Sequence, residues 1–98
     1  MNMQAMMKQA QQLQKKMLED KKVIDNKEFV GKSSLVSITM TGDMKVKNIS
    51  FSIDELSSDD VEMLEDMTMV AFNDAINQIN RETEDKMGKY TKGIPGLF

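Results

Sequence analysis

The feature that most constrains the fold is the run of residues 58–87, which has a helical pattern with a wide apolar face. Val61, Leu64 and Ile79 belong to a set of apolar residues that recurs at steps of three and four. No Gly or Pro interrupts the run before Gly88, the residue predicted to follow the end of the helix. Such a helix is about 45 Å long, whereas a compact domain of this chain length has a radius of gyration of about 13 Å. We therefore expect a second copy of the chain to cover the apolar face. The predicted dimer contacts are Leu64, Met67, Thr68, Ala71, Phe72, Ala75, Ile76 and Ile79.

The start of this helix carries capping and acidic residues. Ser57 and Ser58 offer N-cap oxygens, and acidic side chains follow where the helix dipole is positive. The acidic cluster lacks the Gly-punctuated ligand spacing of a calcium loop. We interpret it as capping and solvation rather than as a cation site. Its members are Asp59, Asp60, Glu62, Glu65 and Asp66.

Residues 2–25 predict a first helix with a heptad-like apolar seam. Asp20 occupies one position of that seam and interrupts it. On the opposite face Lys8, Lys15 and Lys22 lie seven residues apart and therefore form one line. The line suits contact with phosphates, but lines of charge on helices are usually solvated outer faces, and the spacing alone favours that interpretation. The seam consists of Met3, Met6, Ala10, Leu13, Met17 and Ile24.

Residues 27–53 predict three short antiparallel strands, at 27–32, 35–41 and 44–53, with a turn at Gly42. The last strand changes its alternation at Lys47, which predicts a β-bulge. Lys45 and Lys47 either contact phosphate or protect an edge strand from aggregation. The meander has one apolar face, which needs helices over it.

Composition narrows the function. The 98 residues fit one domain, and the net charge of −3 hides a basic N-terminal half and an acidic C-terminal half. The chain has no Cys, which removes thiolate nucleophiles and thiolate metal sites, and no His, which removes the commonest general base and metal ligand. We predict no enzyme activity, no cofactor, no metal, no membrane contact and no small-molecule substrate. The expected location is the cytoplasm.

Three segments in this order resemble the YbaB/EbfC family of bacterial nucleoid-associated proteins. They read MMKQAQQLQKKM at 6–17, EMLEDM at 62–67 continued by AFNDA at 71–75, and MGKYTKG with PGLF within 87–98. The resemblance covers nearly the whole chain, although the Gly-rich start of many members is missing. It implies an α-β-β-β-α subunit, a tight homodimer shaped like tweezers, and binding to double-stranded DNA with little sequence preference. It also implies a nucleoid location and a role in nucleoid organisation or gene expression.

Together these observations predict an α+β fold in a single domain, 1–98, with a three-stranded antiparallel sheet between two long helices in an intertwined homodimer. Helix 2–25 projects as an arm, 58–87 dimerises, and 88–98 is a flexible tail. The alternative is a protein-interaction adaptor that uses the Met-rich arms and does not contact DNA. The candidate DNA-binding residues are Lys8, Lys15, Lys16, Lys21, Lys22, Lys45 and Lys47.

Overall fold

The architecture is helix, three-stranded sheet, helix, in a computed structural model that describes residues 2–93 and the side chains of residues 2–90. This order confirms the predicted α-β-β-β-α subunit. The last five residues of the predicted tail lie outside the described residues. The elements are α1 (Met3–Asn26), β1 (Glu28–Lys32), β2 (Val36–Thr41), β3 (Val46–Phe51), a single 3-10 turn (Ser58–Asp60) and α2 (Val61–Gly93).

Capping residues set both ends of α1. The Asn2 side-chain oxygen accepts a hydrogen bond of 3.0 Å from the backbone N–H of Gln4, which satisfies one free donor of the first turn. At the other end, the backbone N–H of Lys27 donates to the Ile24 carbonyl oxygen at 3.1 Å, and the chain then turns into β1. The observed bounds differ from the predicted 2–25 by one residue.

The sheet is an antiparallel meander in the order β1-β2-β3. Thr39 pairs with Asn48 and Met40 pairs with Val46, so Lys47 is the extra residue of a bulge at the predicted place. Met44 has a φ of 66° in the turn before β3. The structure therefore agrees with the strands and the bulge that the alternation predicts.

The face of α2 that we assigned to a partner subunit packs instead on the chain's own sheet. Ala71, Ala75 and Ile79 are at most 1% exposed, and they share one core cluster with Phe29, Val36, Ile38 and Met40. Their prediction as dimer contacts is corrected: β1 and β2 already cover them. The physical reason is close approach, because small residues on α2 meet Gly31 on β1. Leu64, Met67, Phe72 and Ile76 flank the same cluster and are only partly buried, as is Thr68.

The predicted end of the second helix at Gly88 is also corrected, because α2 continues to Gly93. Met87 and Tyr90 are 7% and 2% exposed and form a second core cluster with Ile24 of α1. Packing against α1 stabilises the last turns, and this outweighs the helix-breaking tendency of one Gly.

β3 is the part of the sheet that α2 does not cover. Val46, Ile49 and Phe51 lie on the helix-facing side of the sheet, since they pair with the buried β2 residues, yet they are 41–48% exposed. An open apolar groove begins here and continues along α2. This groove is lined by Phe51, Ile53, Leu56, Val61, Leu64, Glu65 and Thr68.

Candidate nucleic-acid interface

The N-terminal part of α1 stands clear of the rest of the subunit. Every side chain from residue 2 to residue 16 is exposed, and we call this segment the free arm. The first half-buried side chain along α1 is Met17, which packs against the cluster of Ile24, Met87 and Tyr90. The molecule is accordingly elongated, with extents of 71 × 19 × 14 Å. An arm of this kind can reach a partner that the body of the subunit does not touch.

The free arm is purely cationic. It carries Lys8, Lys15 and Lys16 and has no acidic residue. Seven-residue spacing separates successive members of the lysine line by about 10 Å along the helix axis. The line continues to Lys22, beyond the free arm. The side chains of Lys8, Lys15, Lys16 and Lys22 are all exposed. The structure thus places these sequence-predicted lysines together on one accessible helix.

Lys21 is less available than the other α1 lysines. Its Nζ lies 3.2 Å from Asp25 Oδ2, one helical turn further along α1. Such an exposed pair stabilises the helix only slightly. A phosphate could still compete for this lysine, but the Asp25 carboxylate reduces the local positive charge.

Lys47 lies on β3 and Lys45 lies in the turn just before it, both apart from the free arm. Lys45 Nζ is 3.7 Å from Asp43 Oδ2. A hydrogen bond from the Thr41 hydroxyl lowers the pKa of Asp43, and nearby Lys45 adds to this effect, so the carboxylate is charged near neutrality. Lys47 is the bulge residue of β3 and is exposed. The bulge and the two lysines are features by which exposed sheet edges resist aggregation.

The base of the arm contains a polar contact that sequence reasoning missed. Tyr90 Oη donates a hydrogen bond of 2.5 Å to Asp20 Oδ2, and Lys89 Nζ lies 3.5 Å from the same oxygen. The bond from Tyr90, together with the charge of Lys89, lowers the pKa of Asp20. The spacing of Ile79, Thr83, Met87 and Tyr90 continues the helical period past Gly88 and could have indicated that Tyr90 is helical.

Among residues 2–93, no group of three or more acidic side chains is arranged to hold a metal ion. None of the described helices is both long and apolar enough to cross a bilayer.

The fold and the cationic arm define a small α-β-β-β-α protein with one basic, exposed helix. The chain belongs to the YbaB/EbfC DNA-binding family, whose model matches residues 1–94. A nucleoid-associated protein of Enterococcus faecalis is 45% identical over 98 residues, which are 98% of this chain and 94% of that protein. A nucleoid-associated protein of Lactococcus lactis subsp. cremoris is 48% identical over 97% of this chain and 98% of its own length. One from Ligilactobacillus salivarius is 43% identical over 99% of this chain and 95% of that protein.

Proposed function

We propose that this protein binds double-stranded DNA through the lysines of α1, mainly by phosphate contact and with little sequence preference, and that it acts in nucleoid organisation or gene expression. The observation that carries the proposal is the free arm, which presents lysines and no carboxylate. Family membership and the names of the relatives support the DNA partner and the nucleoid location.

Lysine chemistry favours this mode of binding. Its ammonium is a point charge on a flexible stem, which suits a phosphate but does not make the bidentate contacts by which Arg reads guanine. The line of Lys8, Lys15 and Lys22 spans about 21 Å. Since successive phosphates of one strand are about 3.4 Å apart along the duplex axis, this line reaches over about six base pairs.

The overall acidity of the chain does not oppose this proposal. Eleven carboxylates fall in residues 54–98, which include α2, whereas the free arm has none. Counterion release depends on the phosphates that are contacted and not on the charge of the whole chain. The charge distribution favours an approach to DNA by the side of α1 that carries the lysines.

We also propose that the protein is a homodimer, with the interface at the groove and at β3 rather than at the buried face of α2. The two edges of the sheet differ. At β1, Gln78 Nε2 donates to the Val30 carbonyl oxygen at 2.8 Å, and Asp74 Oδ2 accepts from the Lys32 backbone N–H at 3.0 Å. Side chains of α2 therefore cap the β1 edge.

No hydrogen bond among the described residues reaches the outer edge of β3, where Ile49 and Phe51 are about half exposed. The bulge at Lys47 protects only the start of β3. The exposed apolar residues of its second half, beside the groove, form a surface that natural proteins cover. A second copy that covers it would bring two cationic arms into one particle.

The DNA proposal is tested by a salt-series gel shift on two duplexes of unrelated sequence. We expect similar affinity for both duplexes and a steep loss of affinity with salt. Replacing Lys8, Lys15 and Lys22 by Gln should flatten the slope of log affinity against log salt by about 0.9 for each phosphate that the variant no longer neutralises.

The matched control replaces Lys32, Arg81 and Lys86 by Gln, which removes the same charge from exposed positions outside α1. This control should change the slope less than the α1 variant does. Equal effects of the two triple variants would contradict the arm as the DNA-contact site. Protein partners that survive nuclease treatment, without any DNA binding, would favour the adaptor alternative.

The dimer proposal is tested by measuring mass in sedimentation at micromolar concentration. Wild type should be a dimer, and Ile49→Glu should shift it to monomer because it places a charge on the apolar side of β3. Ser50→Glu is the matched control, since this neighbour pairs with Ser37 and faces the other side of the sheet. A wild-type monomer, or a dimer that both variants disrupt equally, would contradict the proposed interface.

A further inference from the structure

The free arm is anchored to the rest of the subunit only at its C-terminal end. Its fifteen residues make no buried contact, and α1 first packs against α2 at Met17. From Met17 to Ile24, α1 runs antiparallel to the end of α2, with Asp20 against Tyr90 and Ile24 against Met87. The direction of the arm therefore depends on the contacts of this short segment.

Most contacts in this segment are poorly suited to fixing a position. Met17, Ile24 and Met87 interact by apolar packing, and Met side chains adapt to small shifts of their neighbours. Gly42 lies directly against the Ile24 backbone and holds that end of the segment. A shift of about 1.5 Å at the Met17 end would leave apolar surface still buried.

The contact of Asp20 with Tyr90 is different because it is polar and directional. The Tyr90 side chain is buried, and its hydroxyl reaches Asp20 Oδ2 at 2.5 Å. Lys89 adds an ion pair to the same carboxylate. A hydrogen bond to a charged group weakens steeply when its distance or angle changes. A polar residue within an apolar helix seam is a known means of specifying register at a cost in stability.

We infer that Asp20 and Tyr90 are positioning residues: their contact, which we call the latch, fixes the direction of α1 and so places the arm lysines for DNA. The second half of this statement rests on the proposed function. Lys8 lies twelve residues from Asp20, about 18 Å along the axis. A tilt of about 10° at the latch would move Lys8 by about 3 Å, close to the axial rise of the duplex between successive phosphates of one strand.

The latch is tested by measuring the position of the arm directly. Because the chain has no Cys, spin labels can be attached at two introduced cysteines, Gln12→Cys on the arm and Asn73→Cys on α2, both exposed positions. Mixing the labelled protein with an excess of unlabelled protein isolates the distance within one subunit. Wild type should give one narrow distance distribution.

Two variants remove the latch in different ways. Tyr90→Phe keeps the ring and removes the hydroxyl, and Asp20→Leu completes the apolar seam. Both should broaden the distance distribution by a factor of about two or displace its peak. Asp20→Leu leaves the buried Tyr90 hydroxyl without its acceptor and should lower the melting temperature, whereas Tyr90→Phe removes that hydroxyl and should lower it less. A merely structural role would leave the distribution narrow in both variants, whatever the melting temperature.

Asp25→Leu is the matched control, since the Asp25 carboxylate pairs with Lys21 within α1 and makes no described hydrogen bond or ion pair to α2. Its distribution should remain narrow. If both latch variants keep the wild-type distribution, the inference is wrong. If Asp20→Leu does not fold, Tyr90→Phe decides alone.

DNA binding separates this inference from the proposed function. Asp20→Leu and Asp25→Leu each remove one negative charge, so charge alone would tighten binding for both variants. We expect Asp20→Leu and Tyr90→Phe to weaken DNA binding by a factor of about 2 to 10, because a misdirected arm neutralises fewer phosphates, and Asp25→Leu not to weaken it. A broadened arm with no loss of affinity would support the latch and contradict the arm as the DNA-binding element.

Discussion

Gly31 lies so close to Ala71 that a Cβ at position 31 would stand 2.0 Å from the Ala71 carbonyl oxygen. The same Cβ would be 2.5 Å from the Ala75 backbone nitrogen. Both neighbours are backbone atoms of α2, which cannot move by a change of rotamer. The absence of a side chain at Gly31 is therefore what allows α2 to lie directly on β1 and close the core.

Gly31→Ala should destabilise the protein by about 3 kcal/mol or more, because overpacking against backbone forces the helix away from the sheet. Urea unfolding followed by circular dichroism measures this change. Since Ala71 and Ala75 shift with the helix, the variant should also expose more apolar surface to a dye. A free energy of unfolding within about 0.5 kcal/mol of wild type would contradict the close packing of β1 on α2.

Gly88→Ala is the corresponding change at a glycine with free space. A Cβ there meets nothing within 4 Å, and the residue lies inside α2. The substitution should raise the free energy of unfolding by about 0.5–1 kcal/mol, since Ala is the better helix former. Urea unfolding again provides the measurement. Destabilisation would indicate that α2 ends at Gly88, as its sequence alone predicts.

Asp60→Ala should destabilise the start of α2 by about 1 kcal/mol. Asp60 Oδ2 accepts hydrogen bonds of 3.0 Å from both the backbone N–H and the hydroxyl of Ser57. Thermal unfolding measures the loss. The control is Asp59→Ala in the same turn, which removes a charge near the helix dipole but no described hydrogen bond, and it should cost less, about 0.3 kcal/mol. Equal losses would mean that charge alone, and not the cap, acts at this helix end.

Local patterns predicted the elements of this fold well. The heptad-like spacing of 2–25 and the alternation along β2 report only on neighbours in sequence, and the structure agrees with both. The bulge at Lys47 is visible for the same reason, because the change in alternation occurs within one strand. Features that are determined by residues a few positions apart can be read from one sequence.

Contacts between distant residues could not be predicted in this way. Periodicity showed that Ala71 and Ala75 face an apolar surface, but not that the surface is the chain's own sheet. Tyr90 and Asp20 are 70 residues apart, and nothing local to either residue indicates the other. The lysine line was visible in the sequence, whereas its isolation on a free arm depends on where α1 stops packing, at Met17.

The single tyrosine of the chain offers a direct spectroscopic test of the contact at the base of the arm. The hydrogen bond to Asp20, together with burial and the charge of Asp20, raises the pKa of Tyr90 from 10.0 to about 12. Tyrosinate absorbance should therefore rise with a midpoint near pH 12 in native protein. Protein unfolded in urea should titrate near pH 10.0, which serves as the internal control.

Asp20→Asn should move the native midpoint back towards 10, since the amide is a weaker acceptor and carries no charge.

These pKa values also determine how the stability of the protein depends on pH. The folded pKa of Tyr90 lies above the unfolded one, so its contribution to stability is complete below pH 10.0 and is lost as the pH rises towards 12. The folded pKa of Asp20 is lowered from 3.8, so its contribution is present above that pH and is lost in more acidic solution. Asp20→Asn should accordingly make stability depend less on pH at both ends. A native midpoint already near 10 in wild type would show that Tyr90 does not donate to Asp20 in solution.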